Sequence, residues 1–248
     1  MKTFEVHDVV KRFPSMGRAA VDHVNFSVEK GNCLGVVGGS GSGKSTLARI
    51  ALLLEKPDEG SVFLEGNRID ALPYRRRRDA YRRIQMVFQN PLDSFDPRCT
   101  LGASIAEYGR SFGLSKRDAG LLARKKLEEV GLDASLAQRL PSQVSGGQCQ
   151  RAAFARALMG EPSVLVCDEV TSSLDMVAQA HIVALIERLK RRMAIVFITH
   201  DLALVSQVSN ELLVMHEGRV VEEGETKQVL AQPASYQTKL LLRSVYSI

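Results

Sequence analysis

The chain has 248 residues, 45% apolar and 25% charged, a balance that suits one large globular domain with a sizeable core and excludes disordered and fibrous polymers. No apolar run approaches the roughly 18 residues a membrane span requires, and the opening Met1-Lys2-Thr3-Phe4-Glu5 does not read as a secretory signal, so the cytosol is the default. Lysine and arginine exceed the acids by 33 to 28, a net +5 that permits attraction to anionic lipid or nucleic acid without requiring either.

In chain order, residues 3–9 and 23–28 alternate apolar and polar like half-exposed strands, and Cys33-Leu34-Gly35-Val36-Val37 is continuously apolar, as a strand covered on both faces is. A glycine-rich loop follows at once, then a helix over 45–54, a turn at 57–60, and strands at 61–65 and 84–88. Tyr74-Arg75-Arg76-Arg77-Arg78 lies between those strands. From 101 to 160 the pattern is helical, with Leu121, Leu122, Lys125, Leu127 and Val130 in one amphipathic stretch and a second helix expected after Gly146-Gly147. Val164-Leu165-Val166-Cys167 is a buried strand ending in two acids, and Ile182, Leu185, Ile186 and Leu189 then mark a helix face. Another buried strand, 195–198, ends at Thr199-His200-Asp201; 211–216 and 219–223 form a hairpin about Glu217-Gly218, and 226–246 reads as helix. The fold class is α/β with a mainly parallel sheet and an inserted helical subdomain, without internal repeat. Cys33, Cys99, Cys149 and Cys167 show no C-x-x-C and no accompanying histidine spacing, which argues against a disulfide framework or structural zinc.

Gly38-Gly39-Ser40-Gly41-Ser42-Gly43-Lys44-Ser45-Thr46 fits G-x-x-x-x-G-K-[ST] between a buried strand and a helix, the context that marks a phosphate-binding loop. Its backbone N–H groups and the helix N-terminus suit phosphate oxygens, Lys44 reaches the β/γ oxygens, and the Ser45 hydroxyl suits Mg²⁺. Asp168 and Glu169 follow a buried strand, where functional groups of a parallel sheet collect. Asp168 is the candidate Mg²⁺ partner and Glu169 the candidate general base or water-positioning group. His200, after the next buried strand, is placed to contact the γ-phosphate.

Val144-Ser145-Gly146-Gly147-Gln148 followed by Arg151 resembles the signature sequence of ATP-binding-cassette (ABC) ATPases, normally LSGGQ. The rest of that family's series occurs in order: Phe13 as the adenine-stacking aromatic, Gln89 as the Q-loop glutamine, Ser173-Leu174-Asp175 as the D-loop, and His200 as the switch histidine. The resemblance spans the chain and implies a phosphate-loop ATPase core with an antiparallel β subdomain. It divides the sequence at about 1–90 and 161–225 for the RecA-like and β core, 91–160 for the helical subdomain, and 226–248 for a C-terminal helical segment. It also implies ATP and Mg²⁺ as cofactors, with Ser45, Gln89 and Asp168 on the metal side and Glu169, His200 and Lys44 as the catalytic set. Two cassettes then face head to tail, with Ser145, Gly146, Gly147, Gln148 and Asp175 serving the partner's nucleotide. Gly39, Val144, Cys149, Cys167 and Ser173 depart from the usual pattern, but none removes a ligand or the base.

The 98 positions from Thr46 to Val144 leave no room for the long coiled coil of the chromosome-maintenance branches. Val87-Phe88-Gln89-Asn90-Pro91 through Ser94-Phe95-Asp96-Pro97-Arg98 is similar to the FQDP..SLNPR stretch of importers for peptides and nickel or metal chelates. That branch implies a second, different cassette, two transmembrane permeases whose coupling helices meet residues 89–98, a substrate-binding protein, and a peripheral place on the cytoplasmic face of the inner membrane. The loose match of Pro233-Ala234-Ser235-Tyr236 and the following leucines to the branch's closing segment, with the stop at Ile248, leans toward nickel- or metallophore-type cargo. The alternative is a soluble ABC ATPase acting on nucleic acid or a protein assembly, for which the six arginines among positions 75–83 are the best feature. No interleaved aromatics accompany them, so a solvated face near the membrane is preferred and no nucleic acid is expected.

Overall fold

A computed structural model describes residues 2–14 and 17–246. Two sheets organise it. The antiparallel sheet contains β1 (Lys2–Arg12), β2 (Ala19–Glu29), β4 (Glu59–Leu64) and β5 (Asn67–Arg68) in the order β2-β1-β4-β5. Within β1 the buried set shifts from Phe4 and Val6 to Val9 and Val10. Asp8 causes the shift: it takes a left-handed backbone (φ 50°) where the register with β2 slips, and its N–H donates to the Asn25 side chain at 2.8 Å.

The second sheet contains β3 (Cys33–Val37), β6 (Ile84–Val87), β7 (Val164–Asp168), β8 (Ala194–Ile198), β9 (Glu211–His216) and β10 (Arg219–Glu225), ordered β10-β9-β3-β8-β7-β6. All its pairings are parallel except the β9–β10 hairpin. Every residue of β3 and β8 is buried, which explains their unbroken apolar runs. The two-residue period sorts them into two cores. Leu34, Val36, Val166, Val196 and Ile198 join Leu47 and Ile50 of α1 (Lys44–Ala51) and the antiparallel sheet. Cys33, Val37, Leu165, Cys167 and Phe197 join Ile182 and Ile186 of α6 (Met176–Lys190) and the helical segment on the other face.

That segment contains α3 (Leu101–Ser111), α4 (Lys116–Glu129) and α5 (Gly146–Ala157), packed on one another. The helix expected after the glycine pair begins on it, with Ser145 as its cap. The helix expected over 45–54 stops at Ala51, because Leu53 turns left-handed (φ 58°). The arginine run forms a 3-10 turn over 74–76 and α2 (Arg77–Arg83). After α7 (Leu202–Val208) and the hairpin, the expected continuous helix is two, α8 (Thr226–Ala231) and α9 (Tyr236–Tyr246). Pro233, without an N–H, lies in the break. Glu222 of β10 caps the start of α9, accepting from Ala234 N (2.7 Å), Ser235 N (3.0 Å) and the Thr238 hydroxyl (2.5 Å).

Candidate nucleotide site

Because β8 pairs with both β3 and β7, the loops leaving the three strands meet at one edge of the sheet. The loop after β3 is shaped by close approach. A side chain at Gly38 would collide with the Met215 carbonyl, and Gly43 has φ 102° with the Ala20 carbonyl where a Cβ would stand. The first turn of α1 has no side-chain cap, so its N–H groups are left for a ligand. They border a cavity of about 160 Å³ lined by Ala20 and residues 41–46, Lys44 and Ser45 among them. Lys44 is buried, and its ammonium donates to Gly38 O (2.7 Å), Gly39 O (2.9 Å) and Ser42 Oγ (3.2 Å). Burial pushes its pKa down, against the opposing pull of Glu169 and Asp168. An anionic phosphate would relieve that burial cost.

The acids approach from β7. Asp168 ends the strand, and its Oδ1 is buried without a hydrogen-bond partner. Burial first, then the neighbouring Glu169 charge, raises its pKa, with Lys44 opposing. An orphaned carboxylate oxygen beside a hydroxyl-bearing phosphate loop fits Mg²⁺, which takes one or two protein ligands and completes its shell with phosphate and water. Glu169 is left-handed (φ 51°), a strained state for a non-glycine residue, and its N–H donates to Ile198 O at 2.9 Å. The turn aims its carboxylate at His200, whose Nδ1 lies 2.8 and 3.0 Å from the two oxygens. The Glu169 side chain is 17% exposed and His200 is 65% exposed.

Gln89, after β6, donates to Ser172 Oγ at 3.2 Å, and Ser172 donates in turn to Glu169 O at 3.0 Å. Ser172, to which the sequence assigns no site role, offers only a small hydroxyl in the turn that follows the acids. Lys44, Ser42, Asp168, Glu169 and His200 are thus brought together, with Gln89 tied in through Ser172.

The signature stands elsewhere. Ser145 caps α5, accepting from Gln148 N (3.2 Å), while Gln148 Oε1 accepts from Ser145 N (3.0 Å). Gly147 gives α5 its close approach to Ala178 of α6, whereas nothing lies within 4 Å of a Cβ built on Gly146. Asp175 caps α6 by accepting from Ala178 N at 2.8 Å. None of Ser145, Gly146, Gly147 and Gln148 lines the phosphate-loop cavity. Phe13 is half-buried just past β1 with the Lys11 ammonium 5.4 Å over its ring, and it does not line that cavity either.

Four of the six arginines serve the fold. Arg77 donates to Leu72 O and Asp70 O, Arg83 pairs with Glu65, and Arg78 and Arg82 lie over the Phe112 ring with Arg78 also bonded to Ser111 O.

This is the layout of a phosphate-loop nucleoside triphosphatase. The family model described as ABC transporter matches residues 21–172. The oligopeptide transport ATP-binding protein OppF of Salmonella typhimurium (strain LT2) is 42% identical over 230 residues, covering 91% of this chain and 69% of that protein. Among solved structures, the dimeric post-hydrolysis state of the ATP-binding cassette MJ0796 bound to ADP and Pi superposes with a TM-score of 0.81 at 27% identity, covering 90% of this chain and 98% of the other. The structure of cbiO1 from Clostridium perfringens, part of the ABC transporter complex cbiONQ, gives a TM-score of 0.84 at 25% identity, covering 99% and 95%. The chain therefore belongs to the ABC transporter family, as an ATP-binding subunit that hydrolyses ATP with Mg²⁺. ATPases of importers in this family work as dimers with transmembrane permeases. Among the described residues no helix is long and apolar enough to cross a membrane.

Proposed function

We propose that this cassette powers peptide import as a peripheral subunit on the cytoplasmic face of the inner membrane, paired head to tail with a second, different cassette on two permeases fed by a substrate-binding protein. The motifs leave peptides and nickel or metal chelates open as cargo, and the oligopeptide relative favours peptides. In this reading 1–90 and 161–225 form the nucleotide-binding and β core, 91–160 the helical part that reaches the partner, and 226–248 a C-terminal addition.

Residues 38–46 hold the phosphates, with Lys44 on the β/γ oxygens, and Phe13 stacks on the adenine. Ser45, Gln89 and Asp168 hold Mg²⁺, which when bound neutralises charge on the phosphate oxygens. Glu169 takes a proton from the water whose oxygen bonds to the γ-phosphorus as the bond to the β-phosphate oxygen breaks. Lys44 offsets the charge left on ADP. His200 holds the Glu169 carboxylate and faces the γ-phosphate. Ser145, Gly146, Gly147, Gln148 and Asp175 complete the partner's site. Residues 89–98 border the groove that receives a permease's cytoplasmic segment: Phe88 and Ser94 line a cavity of about 190 Å³ there.

The observation that carries this reading is the Glu169 carboxylate, turned by a strained backbone onto His200 and near enough to Lys44 to act on its charge. Glu169→Gln tests it. ATP affinity is retained while turnover falls at least about a hundredfold, the low end for losing a general base. Undiminished turnover removes the assignment. Uptake of labelled peptide into vesicles carrying the complex, and its absence for nickel, tests the cargo.

A further inference from the structure

The fold sorts the six arginines among residues 75–83 into two sets. Arg77 and Arg83 are half-buried and turned to acceptors of the protein, Arg77 to the Leu72 and Asp70 carbonyls and Arg83 to Glu65. Arg75, Arg76, Arg78 and Arg82 are exposed. Among the described residues no ion pair neutralises any of these four, and Arg75 and Arg76 make no hydrogen bond or ring contact either. Arg78 and Arg82 are held in place, their guanidinium carbons 5.3 and 5.9 Å from the centre of the Phe112 ring, with Arg78 also bonded to Ser111 O. Neither a ring nor a carbonyl removes a charge. Arg78 and Arg82 are four apart on α2, a spacing at which like charges repel, and Asp79 is the single acid among residues 74–83. Four unneutralised cations on one short element are a cost to the free cassette that an anionic surface relieves.

Nucleic acid suits this charge but not its setting. The Phe112 ring is engaged by two guanidiniums and by the Tyr108 ring 4.9 Å away, so it is not free to stack on a base. A lipid headgroup asks only for its phosphate oxygens to be met, which the planar fork of a guanidinium does with two parallel bonds. Tyr81 of the same helix lines the cavity where the permease segment is placed, so α2 borders the membrane complex.

We propose that Arg75, Arg76, Arg78 and Arg82 bind the phosphates of anionic phospholipids at the cytoplasmic membrane surface, with Arg78 and Arg82 as forks fixed by Phe112 and Arg75 and Arg76 as freer partners beside them. This rests on the reading of the chain as a peripheral membrane subunit and adds a contact with the bilayer itself, which holds and orients the cassette without any permease.

Sedimentation of the full chain with vesicles tests it, using phosphatidylcholine alone and phosphatidylcholine mixed in equal parts with phosphatidylglycerol. The chain should sediment with the mixed vesicles and not with the neutral ones, and added salt should release it, because exposed charges are screened. Each arginine near an anionic surface contributes about fivefold to binding, so Arg75→Gln with Arg76→Gln should weaken it about 25-fold. The melting temperature should not change, since neither side chain makes a contact among the described residues. Arg124→Gln with Lys125→Gln, at two exposed positions of α4, lowers the net charge equally and should weaken binding far less. Equal losses in the two double variants reduce the effect to net charge and overturn the proposal, as does failure to bind the mixed vesicles. Stronger binding to a DNA duplex than to the mixed vesicles at equal phosphate, lost with Arg75 and Arg76, also overturns it and gives the surface to nucleic acid. Recovery of multi-span permeases with the tagged chain from detergent extracts separates the two readings. Permeases without vesicle binding overturn the proposal alone; vesicle binding without permeases sustains the lipid surface and removes the subunit reading.

Discussion

Two helix N-termini in this molecule open with small residues, and they are finished differently. At α1 no side chain caps the first turn, Gly43 is wedged under the Ala20 carbonyl, and a buried lysine threads back to the loop's carbonyls. At α5 the cap is closed by its own Ser145 and Gln148, and Gly146 faces open space. The first leaves its N–H groups uncapped by any side chain, as a ligand site does; the second is a self-capped helix end with open space beside Gly146. In the proposed head-to-tail pair the α1 end would hold the chain's own nucleotide and the α5 end would face the partner's. The sharpest way to break the contrast is to add the same methyl group to each. Gly43→Ala should lose about 1–3 kcal/mol from backbone strain alone, and ATP binding with it. Gly146→Ala should leave stability unchanged or raise it by up to about 1 kcal/mol, alanine being the better helix former, while turnover of the assembled complex falls. Denaturant unfolding of the two variants checks this, and equal losses would erase the distinction.

A smaller effect separates the capped end further. Ser145→Ala removes the acceptor for Gln148 N and should cost about 1 kcal/mol of stability. ATP affinity of the isolated chain should not change, since that serine lies outside the cavity its own phosphate loop lines. Calorimetry with and without ATP reads both quantities, and a loss of monomer affinity would place the signature in the chain's own site.

How much of this was legible in advance follows from how local each feature is. The phosphate loop and the buried strands were readable because Gly38 to Thr46 and the apolar runs at 33–37, 164–167 and 195–198 act through adjacent residues. The turn at Glu169 was not, because its strain is sustained by the hydrogen bond to Ile198 O on a neighbouring strand. Nor was the link from Gln89 to Ser172, which exists only because β6 and β7 are neighbours in the sheet. The arginine run shows the limit of charge as a signal. Its composition allowed a nucleic-acid face, but Phe112, Ser111 and Glu65, distant in sequence, decide that three of those arginines hold α2 in place. The helix expected over 226–246 is broken at Pro233, and Glu222, a dozen residues before Ala234, caps the second part.

That cap leads to the smallest effect, which again concerns only one of the two cradles. Gln237, Leu240 and Leu241 of α9 and Gly39, Ser40, Gly41 and Ser42 line a common cavity of about 410 Å³, so α9 is a wall of the phosphate loop; no signature residue lines that cavity. Burial works against the Glu222 charge, but the bonds from Thr238, Ala234 and Ser235 together outweigh it and hold the carboxyl below its usual 4.5. A glutamate depressed in the folded state stabilises it fully above the unfolded value and less as pH falls through the folded one. Acidifying below about 4.5 should therefore loosen α9 first. Hydrogen exchange would show faster exchange in 236–243 and then in 38–43, with the first turn of α5 unchanged at the same pH. Glu222→Gln should reproduce the pattern at neutral pH with little change in the melting temperature. If the two cradles loosened together, α9 would not be a private support of the phosphate loop, and their difference would reduce to their caps.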